Sequence, residues 1–403
     1  MMGQEKVTLM PYSFSDRRNV TAGKKCVSPA EGGNISDYFS LFPSRFPWSP
    51  RDTRREPRGG RESAALGWSS AAELGWAPGL EGAHVPHCQK DQMSNSSSIT
   101  EFFLLTLADT RELQLLCFWL FLGIYLAALL ANSLIITAIA CDHHLHTPMY
   151  FFLLNLSLLD LGSISSTLPK AMANSLWDTR SISYAGCVAQ LSLFSFLLGA
   201  EYFLLTVMAY DRYVAICKPL HYGILLGSRA CVHMAAAAWG SGFLNAVLHT
   251  ASTFSVPLCQ GNAVDQFFCE IPQILKLSCA DSYLREAGLL VVSACLVFGC
   301  FVFIVLSYVQ IFRAVLRIPS EQGRHKAFFT CLPHLAVVFL FVSTTIFAYL
   351  KPPSISSPSL DLMAAVLYSV LPPAMNPLIY SMRNEELKDV LKKLMQSVVC
   401  QQQ

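Results

Sequence analysis

The chain has 403 residues, of which 53% are hydrophobic and only 14% are charged, and its formal net charge is +2. Soluble globular proteins carry about 25% charged residues, so the composition excludes an ordinary soluble domain and indicates a membrane protein. The small net charge gives no support for nucleic acid as a partner.

Residues 1–92 differ from the rest of the chain because they are rich in Gly, Pro, Ser and Arg. They contain no apolar run long enough for a signal peptide, and we interpret them as a disordered N-terminal extension. A basic stretch at residues 51–61 could bind acidic lipid or nucleic acid, although charge blocks of this kind are more often simply solvated. Glycosylation sequons begin at Asn19, Asn34 and Asn95, and such short matches often occur by chance.

Seven apolar stretches follow, each close to the roughly 20 residues that a helix needs to cross a bilayer. They predict an all-α membrane protein, a bundle of seven transmembrane helices. We place these spans, numbered one to seven, at about residues 115–141, 148–172, 187–215, 231–254, 285–313, 327–350 and 361–382. We find no internal repeat among them.

The basic residues of the short loops predict an N-terminus outside the cell and a C-terminus inside. With that orientation, the inner loops and the tail carry Lys218, Arg229, Arg313, Arg317, Arg324, Lys326, Arg383, Lys388, Lys392 and Lys393. The outer side beyond residue 100 carries fewer: Arg111, Lys170, Arg180, Lys276, Arg285 and Lys351. The basic residues of the long N-terminal segment receive little weight, because long segments follow this rule poorly.

An amphipathic segment follows span seven at residues 383–395. Its apolar side chains recur at helical spacing, and two lysines flank the apolar face: Leu387, Val390, Leu391 and Leu394, with Lys388 and Lys392. This pattern predicts a short helix that lies on the lipid of the inner leaflet.

The inner end of span three carries the most informative stretch, residues 208–220, which read MAYDRYVAICKPL. Its pair Asp211-Arg212 would be costly if it faced lipid. The pair is reasonable where a helix meets the cytoplasm and the arginine can exchange partners. Taken alone, the stretch could also be a basic flank that simply ends a membrane span.

With the two following residues, this stretch reads MAYDRYVAICKPLHY and resembles the third-helix signature of vertebrate olfactory receptors, a branch of the rhodopsin-like G-protein-coupled receptors. The segment that begins at Met93 is similar to the usual start of these receptors. The resemblance covers about residues 93–397 and implies a receptor domain there, a tail at 398–403 and a glycosylated Asn95. Residues 1–92 fall outside it.

Four cysteines flank loops predicted to face the oxidising exterior, so we expect them to pair: Cys187, Cys259, Cys269 and Cys279. Four cysteines allow three pairings, and the sequence alone does not choose between them. The family pattern implies Cys187–Cys269 and Cys259–Cys279. The same loop has Gln266 where the family usually has histidine, which removes a possible metal ligand. We therefore expect no metal, and nothing implies another cofactor.

Two acidic residues lie inside predicted spans, Asp160 in span two and Glu201 in span three. Each is expensive in hydrocarbon unless it faces the bundle interior, and two nearby carboxylates would share a proton or hold a cation. The family similarly has acids at both places, close to the sodium pocket of related receptors. Asn132 and Asn376 are plausible polar partners. A catalytic dyad is the alternative interpretation of the two acids.

The resemblance also implies a switch at the inner face, where a set of residues rearranges when span six swings outward. The matching positions are Asp211, Arg212, Tyr213, Tyr308, His334, Asn376, Pro377 and Tyr380. His334 taken alone would more often be a satisfied interfacial histidine, and Asn376-Pro377-Leu378-Ile379-Tyr380 alone would be a weak match. Pro377 loosens the helix ladder and permits a bend. Pro333 adds a second proline, in span six.

By alignment, the outer halves of spans three, five, six and seven enclose the ligand. That selects Phe194, Ser195, Leu198, Gly199, Val292, Ser293, Leu296, Thr345, Ile346, Tyr349, Val366 and Ser369. These residues are mostly apolar with a few hydroxyls, and the set suits a small, neutral, hydrophobic molecule. Many of them could instead simply pack helix on helix. One departure is Val342-Ser343, where family members usually carry Tyr-Gly.

The resemblance implies an odorant receptor of the plasma membrane that activates a stimulatory, olfactory-type heterotrimeric G protein and raises cyclic AMP. It is not expected to be an enzyme. A transporter or channel would predict inverted repeats and broken helices. An intramembrane enzyme would need a nucleophile and a base, which Asp160 and Glu201 do not supply. A receptor-like chain that no longer signals stays open because of Val342-Ser343, although the intact Arg212 and Asn376 argue against it.

Overall fold

A computed structural model describes residues 99–279, 283–350, 357–383 and 385–401. The extension at residues 1–92, with Asn19 and Asn34, and the sequon residue Asn95 lie outside these ranges. Within these ranges, seven helices are long and apolar enough to cross a membrane, and we label them α1 (Arg111–Cys141), α2 (Pro148–Trp177), α3 (Tyr184–Cys217), α4 (Ser228–Ser255), α5 (Tyr283–Leu316), α6 (Glu321–Leu350) and α7 (Pro358–Arg383). The predicted seven-helix membrane bundle is confirmed.

The helices extend beyond the predicted spans because a helix does not end where its apolar run ends. At 1.5 Å per residue, the 31 residues of α1 measure about 46 Å, whereas the hydrocarbon core is about 30 Å thick. Local signals set the ends instead. Pro148 opens α2, Asp178 ends it with a left-handed backbone (φ 51°), and the Ser183 hydroxyl accepts from the Gly186 N–H at 3.1 Å to cap α3.

The outer side carries a small three-stranded sheet that the sequence did not predict. It orders β2 (Ser181–Ser183), β1 (Glu101–Leu104) and β3 (Ala263–Val264), with β1 antiparallel to β2 and parallel to β3. The side chains of β1 alternate, so that Phe102 and Leu104 are buried while Phe103 is half exposed. The strand therefore ties the segment before α1 to the two outer loops.

Two disulfides hold the longest outer loop, and they join Cys187 to Cys269 and Cys259 to Cys279. This is the pairing that the family resemblance implies. The first closes 82 residues of sequence and the second closes 20. Loops of these lengths correspond to about 3–5 kcal/mol of lost unfolded-state entropy per crosslink. A helix of six residues, Ile271–Lys276, lies between Cys269 and Cys279.

The last helix, α8 (Glu385–Gln401), is longer than predicted, and its side chains follow the predicted amphipathic pattern. Leu387 is fully buried, whereas Lys392 is exposed. The Tyr150 hydroxyl of α2 donates to the Glu386 carboxylate at 2.9 Å. This bond attaches the start of α8 to the inner end of the bundle.

Helix α3 packs closely against α4 because small residues meet at the contact. A Cβ atom on Gly242 would lie 2.5 Å from the Ala200 backbone nitrogen and 2.8 Å from its Cα. Gly199 lies beside the same contact, where its Cβ would be 3.4 Å from the Gly242 Cα. Small residues allow such close approach between membrane helices.

We predict that Gly242→Ala destabilises the protein by about 1–3 kcal/mol, because the new methyl group would collide with backbone atoms that cannot move independently. The measurement is the cell-surface level together with the melting temperature of the purified protein. Gly240→Ala is the matched control, since a Cβ at Gly240 meets nothing within 4 Å. Equal surface level and melting temperature for the two variants would contradict the prediction.

Candidate functional site

A buried polar group lies at the centre of the bundle and joins α2, α3 and α7. The Asn376 side-chain amide donates to the Asp160 carboxylate at 3.0 Å and to the Glu201 carboxylate at 3.1 Å. All three residues are about 1% exposed. The sequence placed both acids in the bundle interior, and the structure brings them together on a single amide.

The two carboxylates cannot both carry an uncompensated charge in this position. Buried like charges at short range are resolved when one carboxyl keeps a proton or when a cation lies between them. The second Asp160 oxygen has no hydrogen-bond partner within the described ranges. Those ranges also contain no group of three or more His, Cys, Asp or Glu side chains that could hold a metal ion. The chemistry left open is a shared proton or a weakly held monovalent cation.

Asn132 of α1 supports α7 at the same depth. Its amide donates to the Pro373 carbonyl at 3.1 Å. That carbonyl lies four residues before Pro377, which has no N–H to bond it within the helix. Asn132 therefore satisfies the backbone group that the proline leaves free, at the point where the proline permits α7 to bend.

The inner end of α3 holds the Asp211–Arg212 ion pair. The Arg212 Nε donates to Asp211 at 2.8 Å, and the Tyr222 hydroxyl donates to the other Asp211 oxygen at 2.8 Å. Burial, and then the neighbouring Asp211 carboxylate, raise the pKa of Tyr222, the first residue of a short helix, Tyr222–Leu225, beyond α3. Tyr213, the next residue of the motif, is half-buried and lies under the Lys218 ammonium at 5.9 Å.

His334 connects three helices near this ion pair. Its Nε2 lies 3.0 Å from the Leu205 carbonyl of α3, and its Nδ1 lies 2.7 Å from the Tyr308 hydroxyl of α5. A carbonyl only accepts, so Nε2 carries the proton and Nδ1 accepts from Tyr308. Tyr380 of α7 is buried nearby and, with His334 and Arg212, lines one small cavity. The inner ends of α3, α5, α6 and α7 are therefore drawn together.

The outer loop reaches into the bundle from the other side. Phe267 and Phe268 are fully buried, and the ring of Phe268 lies 5.1 Å from Phe194 of α3 and 6.1 Å from Tyr368 of α7. The Tyr368 hydroxyl donates to the carboxylate of Glu270. Because Glu270 follows the disulfide-bonded Cys269, this hydrogen bond links α7 to α3 through the loop.

The predicted ligand residues divide into three groups. Phe194, Leu198 and Val366 lie in one apolar cluster with the loop phenylalanines. Two others contact α4. Ser293 bonds Asn245 and His249 of that helix, and Gly199 lies against Gly242.

The remaining predicted residues are less enclosed or make other contacts. Val292, Leu296 and Ile346 are 57%, 54% and 49% exposed, so they contribute little to an enclosed site. Ser195 and Thr345 are half-buried, and Ser369 is buried with its hydroxyl on the Ala365 carbonyl at 2.7 Å. The side chain of Tyr349 lies outside the described residues. These ligand contacts stay predictions.

Sequence reasoning missed a polar cluster between α4 and α5. The Ser293 hydroxyl donates to the Asn245 side-chain oxygen at 2.8 Å and lies 2.8 Å from the His249 Nε2. Further along α4, the buried hydroxyls of Ser252 and Thr253 have no partner in the part of the chain that the structure describes. Such hydroxyls can bond a polar group of a ligand. Their weak sequence signal is a run of Ser and Thr near the outer end of a span.

Comparisons with known proteins agree with this architecture. Residues 121–398 match the sequence model of a family described as Olfactory receptor. The chain is 50% identical over 302 residues to Olfactory receptor 14A16 from Homo sapiens, which covers 75% of the chain and 97% of that protein. It is 46% identical over 306 residues to Olfactory receptor 14C36 from Homo sapiens, covering 76% and 98%. It is 45% identical over 300 residues to Olfactory receptor 1G1 from Gorilla gorilla gorilla, covering 74% and 96%.

We predict that Glu270 makes the thermal stability of the protein depend on pH. Burial raises the pKa of its carboxyl above that of a free glutamate, about 4.3. The folded state then holds the proton more tightly than the unfolded state. The stability that this proton gives is present below the ordinary pKa and is lost as the pH rises through the folded pKa. The melting temperature of wild type should therefore fall relative to that of Glu270→Gln as the pH rises from 4 to 8.

In Glu270→Gln, the amide oxygen still accepts from Tyr368, so the comparison isolates the charge. Asp265→Asn, at an exposed position of the same loop, is the control and should follow the wild-type pH profile. The prediction is wrong if wild type gains stability over Glu270→Gln across this pH range.

Proposed function

The chain belongs to the olfactory receptor family, and from this membership we propose that it binds a small, mostly apolar, neutral odorant in the outer half of its bundle. The receptor would then activate a stimulatory, olfactory-type heterotrimeric G protein, which raises cyclic AMP. The family consists of multi-pass plasma membrane receptors that are not enzymes. An odorant-receptor role therefore follows from the family, and the ligand class and the signalling route are the proposal.

The closed inner face is the observation that carries the signalling part. Arg212 is held within α3 by Asp211, and His334 holds α6 against the Leu205 carbonyl of α3. If α6 moves outward, the bond from His334 to Leu205 breaks and a crevice opens beside Arg212. A G protein could occupy that crevice. Tyr308 bonds His334, and Tyr380 lines the same small cavity as Arg212, so both would change partners in the same movement. Tyr213 follows Arg212 directly in α3.

The outer cluster supports an apolar ligand. Phe194, Leu198 and Val366 pack with the loop phenylalanines and Tyr368, and the hydroxyls of Tyr368 and Ser293 are polar groups on the same helices as these residues or on α5. A largely apolar site with few polar groups suits a small neutral molecule that makes one or two hydrogen bonds.

Binding changes signalling only if the odorant binds the open state more tightly than the closed one. The buried group of Asp160, Glu201, Asn376 and Asn132 is placed to take part, because it joins α7 to α2, α3 and α1. We propose that this group holds its shared proton or a cation in the closed state. Movement of α7 near Pro377 would then change its contacts.

We propose that the receptor domain spans residues 93–397, preceded by an extension at 1–92 and followed by a tail at 398–403. The relatives support this division, because about 300 residues of the chain cover nearly their whole length. Asn95 would then lie just ahead of β1 on the outer side, where glycosylation takes place. The apolar face of α8 would lie on lipid of the inner leaflet.

A second candidate function is a receptor-like chain that binds without signalling. Val342 favours it, because this position of α6 carries tyrosine in most family members. The intact Asp211–Arg212 pair and the His334 contacts favour signalling instead.

The test measures cyclic AMP in cells that express the full chain against a panel of neutral volatile odorants. We expect at least one odorant to raise cyclic AMP, and we expect Arg212→Ala to abolish that response at equal surface level. Loss of the arginine removes the charged group that would face the G protein.

Lys218→Ala serves as the control, since it removes a basic charge six residues further along without touching the ion pair. Its response should remain within about threefold of wild type. Silence of a well-expressed wild-type chain across the whole panel would support the non-signalling candidate. A response that survives in Arg212→Ala would contradict the proposed switch.

A further inference from the structure

Tyr202 joins three helices at the middle of the bundle. It follows Glu201 in α3, and because successive helical residues point about 100° apart, it faces α5 and α6 rather than α2 and α7. Its hydroxyl donates to the Val297 carbonyl of α5 at 2.8 Å. Its ring stacks on Phe341 of α6, with ring centroids 5.7 Å apart and an angle of 23° between the planes. Tyr202 and Phe341 are about 5% exposed.

These contacts lie directly beneath the predicted ligand site. Residues four apart on a helix occupy the same face, one turn apart. Leu198 lies one turn outward from Tyr202, and Ser293 lies one turn outward from Val297. Thr345 lies one turn outward from Phe341. Each of the three contacting helices thus presents a predicted ligand residue immediately above its contact with Tyr202.

The same contacts lie directly above the inner switch. Leu205 is one turn inward from Tyr202 on α3, and its carbonyl accepts from His334. His334 and Phe341 are seven residues apart on α6, so they lie on one face of that helix. The Tyr202–Phe341 stack and the Leu205–His334 hydrogen bond are therefore two successive contacts between α3 and α6.

The backbone of α6 is weakened beside each of these two contacts. Pro333 has no N–H for the Phe329 carbonyl. The Thr344 hydroxyl bonds the Leu340 carbonyl at 2.8 Å and the Phe341 carbonyl at 3.1 Å, and such bonds often bend helices. Phe341 also precedes Val342, the position where the sequence lacks the tyrosine that most family members carry. Within the described residues, the aromatic stack on Phe341 itself comes from α3, whereas the ring of His334 stacks on Tyr308 of α5.

We infer that Tyr202 is the positioning residue that couples the outer ligand site to the inner face, because it holds α5 and α6 against α3 in the closed state. This inference rests on the proposed signalling function. A ligand that displaces Leu198 or Thr345 shifts the Tyr202–Phe341 stack beneath them. Once the stack is lost, the His334 bond alone holds α6 to α3 in this row of contacts, and the inner end of α6 is free to move outward.

The experiment uses Tyr202→Phe in the full chain, which keeps the ring and removes only the hydroxyl that fixes its orientation. A single net hydrogen bond changes a two-state equilibrium by roughly three- to tenfold. We expect basal cyclic AMP to rise and the open state to be populated roughly three- to tenfold more than in wild type. Tyr202→Leu, which also removes the stack, should raise both further.

A second readout does not require a G protein. Cys331 of α6 is 1% exposed beside the inner end of α3, and an outward movement of α6 would uncover it. Its rate of modification by a membrane-impermeant maleimide is measured in inside-out vesicles, with Cys331→Ser to identify its signal. We expect Tyr202→Phe to raise this rate by the same roughly three- to tenfold factor as the open population.

Tyr125→Phe is the matched control, because it removes a tyrosine hydroxyl bond between α1 and α2, to Ser165 at 3.1 Å, rather than one to α5. It should leave the Cys331 rate at the wild-type value. A wild-type rate in both Tyr202→Phe and Tyr202→Leu, at equal surface level, would overturn the inference. A raised rate without any cyclic AMP above the Arg212→Ala level would support the role of Tyr202 and overturn the proposed G-protein route instead.

Discussion

The structure depends on one constraint: polar groups inside a membrane-crossing bundle must find their partners within the protein, because lipid offers none. Helix α3 meets most of this demand. Glu201 shares the Asn376 amide with Asp160, the Leu205 carbonyl accepts from His334, and Asp211 holds Arg212. Most of these partners belong to different helices, so the polar contacts also determine which helix lies where. Apolar contacts alone would not do this, since lipid tails are as apolar as the helix surfaces that they would replace.

The same constraint accounts for the polar side chain that lies beside the proline of α7. Pro377 removes one backbone bond from α7, and Asn132 of α1 bonds the carbonyl that this leaves free. A bend in α7 at this point would therefore exchange a side-chain contact rather than break a regular helix. At the outer end the arrangement is the opposite. There the Cys187–Cys269 disulfide, strand β1 and the hydrogen bond from Tyr368 to Glu270 join the loop to α3 and α7. The bundle is thus held firmly outside and by weaker contacts inside.

Sequence reasoning reached the features that depend on local pattern. The seven spans and the amphipathic tail follow from apolar runs and helical spacing, and the inner-face residues follow from motifs with fixed spacing. It missed β1, β2 and β3, because strands of two to four residues carry no period of their own. It also missed Tyr368 and Glu270, since a loop that enters a bundle is fixed by tertiary packing. Tyr202 was overlooked for a related reason: one aromatic residue in an apolar span looks the same whether it faces lipid or joins three helices. The exposure of Val292 and Leu296 likewise depends on how far α5 leans from its neighbours, which no sequence pattern records.

The contacts that close the inner face are individually weak, and this suits a receptor for small molecules. A neutral hydrogen bond contributes about 1 kcal/mol net, and an aromatic pair contributes a similar amount. Moving a two-state equilibrium from 1:99 to 99:1 requires about 5.5 kcal/mol of differential binding free energy. The total binding free energy of even the best small ligands is limited to about 1.5 kcal/mol for each of their heavy atoms, and only part of it distinguishes the two states. An ion pair that had to break between α3 and α6 would consume much of this. The strong pair, Asp211–Arg212, lies within α3 and need not break when α6 moves. In the row of contacts described above, the His334 bond and the Tyr202–Phe341 stack join α6 to α3, so the proposed outward movement of α6 would have to change only these two weak contacts.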